Sequence, residues 1–74
     1  MKNREFIEKN IGAEVYITGD GDLAFIHEFR PLIFNETKLF IVKLTKNGMA
    51  YLTDGNDKFY SVPPRNVRLF SELV

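Results

Sequence analysis

Seventy-four residues with ten basic and ten acidic side chains, 45% apolar and 14% aromatic, describe one small domain with enough apolar material for a single core. The absence of cysteine excludes disulfides and thiolate zinc sites, and the zero formal charge argues against a generic nucleic-acid binder, which is usually visibly basic. The N-terminal stretch MKNREFIEKN is charged and lacks an apolar h-region, so no secretory signal is expected; the longest apolar runs are about a fifth of a membrane span. These features read as a soluble, cytoplasmic protein that does not enter a membrane.

In chain order, Asn3 is placed to cap a short helix reaching Ile11, with Glu5 and Lys9 suited to its dipole and spaced for an i,i+4 pair. Phe6, Ile7 and Ile11 form its apolar stripe and Gly12 ends it. A helix of about nine residues does not persist alone, so it must dock. Ala13 to Thr18 alternates as a half-buried strand, with Ala13, Val15 and Ile17 on one side and Glu14, Tyr16 and Thr18 on the other. Gly19 to Asp22 forms a turn, and Leu23 to Phe29 reads as a second strand, apolar on both faces. Arg30-Pro31 breaks it, and Pro31 to Thr37 reads as a longer loop. Lys38 to Leu44 is the strongest strand pattern, with Phe40, Val42 and Leu44 inward and Lys43 outward. Asn47-Gly48 marks a hairpin to Met49 to Thr53, and Asp54 to Asp57 turns into Lys58 to Val62, where Tyr60 and Val62 point inward.

The stretch DKFYSVPPRNVRLF, Asp57 to Phe70, closes the chain. Pro63 and Pro64 cannot donate to a ladder, which stops one strand; about one helical turn remains before Val67 opens the next. This strand, tight turn and closing strand resembles the C-terminal signature of Src-homology-3-like (SH3-like) small barrels, including KOW-type modules. The resemblance implies an antiparallel barrel of five or six short strands, with a 3₁₀ turn before the last. Residues 1–74 then form one domain: an N-terminal helix over 1–12, a barrel over 13–70 and a tail over 71–74.

No constellation points to catalysis or to a cofactor. His27 is the single histidine, and in a Phe-rich strand it reads as a packed or edge residue. Ser61 and Ser71 have no nucleophile context, and Asp20, Asp22, Asp54 and Asp57 read as turn formers because a calcium loop needs further ligands at fixed spacing. The remaining enzymatic class is one whose active site forms only at an interface between subunits.

Two surface features remain. The aromatic surplus over one small core suggests a partner or self-association surface at Phe25, His27, Phe29 and Phe34. Charge is also uneven: residues 1–29 carry three basic against six acidic side chains, whereas 30–70 carry seven against three. Lys38, Lys43, Lys58, Arg65 and Arg68, near Tyr51 and Phe59, are candidates for a nucleic-acid face that pairs phosphates and stacks bases. The leading expectation is a non-catalytic protein-binding module or small regulator, similar to accessory proteins of phages and other mobile elements that dock on a host protein. The alternative is a KOW-like nucleic-acid or ribonucleoprotein module using the basic face.

Overall fold

A computed structural model describes residues 2–19, 23 and 26–73. Five antiparallel strands, β1 (Glu14–Ile17), β2 (Leu39–Leu44), β3 (Ala50–Thr53), β4 (Phe59–Val62) and β5 (Val67–Leu69), form one sheet in the order β4-β3-β2-β1-β5. The edge strands β4 and β5 do not pair with each other, so the sheet stays open and the expected barrel closure is not seen. The protein is mostly β, as expected, with helical pieces on one face.

Residues opposed across an antiparallel ladder point to the same side. On the inner side, Val15 faces Leu39 and Leu69, Ile17 faces Val67, Ile41 faces Leu52, and Ala50 faces Val62. All but the half-buried Leu69 lie in the core, together with Ile7, Leu23 and Phe29 from outside the sheet.

The helix α1 (Lys2–Lys9) docks on this face through the fully buried Ile7 and the half-buried Phe6. Asn3 lies inside its first turn and does not cap it. The helix stops two residues early because the Asn10 side chain takes over the Phe6 carbonyl, its Nδ2 donating at 2.7 Å. Gly12, at φ +89°, then lets the chain turn onto β2, where its N–H donates to the Ile41 carbonyl at 2.8 Å. The expected Glu5–Lys9 pair does not form; among the described residues the one ion pair is Lys38–Glu14 at 3.3 Å.

The expected strand Leu23 to Phe29 is the main correction. His27–Phe29 is a 3₁₀ turn that runs directly into the helix α2 (Arg30–Phe34), occupying what was expected to be a loop. Pro31 sits in the first turn of α2, where a missing N–H breaks no helical bond, so it starts a helix and does not break a strand. Phe29, Leu32 and Ile33 follow the i, i+3, i+4 spacing and pack on the core. Ala24, Phe25 and most of the Gly19–Asp22 turn lie outside the described residues.

Strand β2 corrects the expected facing. Leu39 and Ile41 point inward, Phe40 outward, and a bulge between Ile41 and Lys43 inserts one residue. Val42 is exposed, Lys43 faces outward opposite Tyr51, and Leu44 returns inward opposite Ala50.

The hairpins follow their turn chemistry. Thr45 closes the first, its hydroxyl accepting the Met49 N–H at 3.0 Å, with Gly48 at φ +81°. The Asp54 carboxylate accepts the Asn56 N–H at 2.8 Å in the second, ahead of Gly55 at φ +87°. After β4 the 3₁₀ turn Pro64–Asn66 leads into β5, as expected. Asn66, fully buried, fastens that turn to the end of β1: its Nδ2 donates to the Thr18 carbonyl at 3.2 Å and its own carbonyl accepts the Thr18 N–H at 2.7 Å. The expected tail instead opens with a 3₁₀ turn over Phe70–Leu73.

Candidate binding surface

The helices α1 and α2 pack on one face of the sheet, and the other face carries a row of partly exposed side chains. Its occupants follow from register: Phe59 opposes Thr53, Tyr51 opposes Ser61 and Lys43, Phe40 opposes Glu14, and Tyr16 opposes Arg68. Five aromatic rings, Phe59, Tyr51, Phe40, Tyr16 and Phe70, are thereby interleaved with Lys43, Lys38 and Arg68 across all five strands.

Two groups of contacts organise this face. From β2 across β3 to β4, the Lys43 ammonium lies 5.7 Å from the Tyr51 ring centroid, and Tyr51 stacks on Phe59 at 5.4 Å and 7°. The series ends on Phe59, which is 51% exposed. Towards β5, Tyr16 meets Phe70 edge-on at 6.0 Å, and Lys38 lies 5.2 Å over the Phe70 ring while it pairs with Glu14. Cross-strand aromatic pairs stabilise a sheet by about 0.2–1 kcal/mol each, which accounts for part of this arrangement. It does not account for a large ring half in water at an open sheet edge.

The residues expected to form a basic face divide. Lys38, Lys43 and Arg68 belong to the outer sheet surface. Lys58 is exposed in the turn before β4, where its carbonyl accepts the Thr53 hydroxyl at 3.1 Å. Arg65 lies on the Pro64–Asn66 turn, and its carbonyl accepts Arg68 Nη1 at 2.6 Å.

The residues expected to bind a partner are not one surface. Phe25 lies outside the described residues, and Phe29 is 5% exposed with its ring 6.0 Å from that of Tyr60, so it is core. His27 is exposed on the 3₁₀ turn, and Phe34, 71% exposed, has the Arg30 guanidinium 5.5 Å from its ring centroid. Tyr16, Phe40 and Phe70 were not foreseen as surface partners. The signal for Tyr16 was already present in the outward set of Glu14, Tyr16 and Thr18, and the polar Arg68 between Val67 and Leu69 marks the same face on β5.

Among the described residues, no group of three His, Cys, Asp or Glu side chains gathers closely enough to hold a metal, and no helix is long and apolar enough to cross a membrane. Comparison of the chain with protein-family models, with curated proteins and with solved structures finds no match.

Proposed function

We propose that this chain is a non-catalytic binding module whose outer sheet face takes single-stranded nucleic acid. The observation that carries the reading is the Lys43–Tyr51–Phe59 series, which ends in a half-exposed ring beside two further cations on the same face. A base stacks on Phe59 and the adjoining phosphates meet Lys43 and Arg68; stacking of this kind is worth about 1–3 kcal/mol per base and tolerates any sequence. The zero net charge weighs against long duplexes, but local charge governs here: Lys38 compensates Glu14, and Lys43 stands beside the stacked rings where a phosphate would follow a stacked base. The 3₁₀ turn ahead of β5 is in keeping with the SH3-like, KOW-like resemblance of the closing segment.

Fluorescence anisotropy with a labelled single-stranded oligonucleotide of about ten nucleotides, from about 50 to 200 mM salt, tests the reading. Two or three phosphate contacts give a log–log salt slope of about −1.4 to −2.1. Phe59→Ala weakens binding at least about fivefold while the thermal melt stays near that of the parent. Absence of binding at the lowest salt, or equal affinity of Phe59→Ala and Lys43→Ala with the parent, refutes it.

A second reading, docking on a protein partner, rests on Phe34. A ring 71% exposed on a five-residue helix is a large apolar group left in water.

A further inference from the structure

We propose a second ligand site, independent of the sheet face: a cleft between the start of α1 and the Pro63–Arg65 corner that binds a phosphate monoester. The cleft encloses about 190 Å³ and is lined by Asn3, Arg4, Gly48, Pro63, Pro64 and Arg65. Arg4 and Arg65 line it from separate elements, and no acidic residue is among these lining residues. Neither Arg4 nor Arg65 takes part in an ion pair within 4 Å among the described residues. Like charges gathered without a counter-ion repel one another, and an anion between them relieves that repulsion. The adjoining cleft, about 270 Å³, shares Asn3 and Pro64 but is lined by Glu72 as well as Arg68, so it brings together opposite charges where the first brings two like ones.

The placement of Arg4 depends on its neighbour. Gly48 is buried, and a Cβ added there would lie 2.5 Å from Arg4 Nη2 and 2.8 Å from Cζ. The missing side chain at Gly48 leaves room for the guanidinium to lie against the hairpin, beside the cleft that both residues line. Arg68, which donates to the Arg65 and Val67 carbonyls at 2.6 and 3.0 Å, braces the backbone that carries Arg65. Two forks match the charge of −2 and the three oxygens of a phosphate monoester, whereas a single carboxylate is satisfied by one fork. The apolar rings of Pro63 and Pro64 form a surface for the body of the ligand. Such a monoester occurs both as a free nucleoside monophosphate and as the 5′ end of a nucleic-acid strand.

Amide chemical-shift titration of the ¹⁵N-labelled chain tests the site with three probes: thymidine 5′-monophosphate, 5′-phosphorylated dithymidine and its 5′-hydroxyl counterpart. The two phosphorylated probes are expected to shift Arg4, Gly48 and Arg65, and the hydroxyl probe to leave them in place. Arg4→Gln and Arg65→Gln should each weaken binding about tenfold or more, Arg4→Lys should recover only part, and Phe59→Ala should change nothing at the cleft. Equal affinity of the two phosphorylated probes assigns the site to free nucleotides, and preference for the dinucleotide assigns it to strand ends; either upholds it. Shifts that do not require the phosphate, or that survive Arg4→Gln and Arg65→Gln, overturn it.

Discussion

Replacing Ile7 by Ala tests how the N-terminal helix is held. Ile7 is the fully buried residue of an eight-residue helix that is too short to persist by itself. The substitution removes three carbons, about 2.4 kcal/mol at about 0.8 kcal/mol per buried methylene, and the unfilled volume raises this to about 2.5–4 kcal/mol. A chain of 74 residues has roughly 4–11 kcal/mol of total stability, so a large fraction is at stake. Ile11, on the stretch just after the same helix, is 57% exposed, and Ile11→Ala should cost less than about 0.5 kcal/mol. Urea melts followed by far-ultraviolet circular dichroism, extrapolated linearly, give both numbers. An Ile7→Ala loss under about 1 kcal/mol, or an Ile11→Ala loss as large as that of Ile7→Ala, refutes the docking described here. It would also remove the support on which the Arg4 side of the cleft depends.

Gly48→Ala should destabilise by at least about 1–2 kcal/mol, because a φ of +81° disfavours any Cβ and the methyl meets Arg4. The Arg4 guanidinium is the far end of a flexible side chain and can swing aside, so Gly48→Ala should cost about as much in an Arg4→Ala background; melts of the parent, the two single variants and the double variant check this. Phe29→Ala should cost about 3–4 kcal/mol by thermal or urea melting and Phe34→Ala less than about 0.5, in keeping with 5% and 71% exposure. Sedimentation of the two beside the melts would show an effect of Phe34→Ala on association without loss of fold if the protein-docking reading holds.

The parts of this fold written in local chemistry were legible before the structure. Asn47-Gly48, Asp54 to Asp57 and Pro63-Pro64 each dictate a backbone shape by themselves, and each turn lies where it was read. Val15 and Ile17 were placed correctly because their polar neighbours break the symmetry between faces. Two stretches failed for one shared reason. In Leu23 to Phe29 and in Leu39 to Leu44, apolar residues occupy every phase, so alternation carries no information about facing or even about element type. Tertiary packing decided both: the first ends in a 3₁₀ turn that sets Phe29 into the core, and the second took a bulge. The candidate surface was half visible. The sequence groups Lys43 with Tyr51 and Phe59 among five basic residues, but Lys38 over Phe70 brings together residues 32 positions apart, which needs the β1–β5 pairing to be known.

Strand β2 is one residue longer than its partners require, and that surplus residue is Val42. In a regular strand the parity of a position fixes its side, so Lys43 and Ile41 would share the core side and Leu44 would stand in water. The bulge resets the count halfway along, and one strand therefore obeys two opposite parities, one before Val42 and one after it. The Lys43 ammonium owes its place over Tyr51 to that reset. In this segment, then, the length of the strand encodes which side of the sheet is charged, and an insertion or deletion there rewrites the surface where a substitution would only edit it.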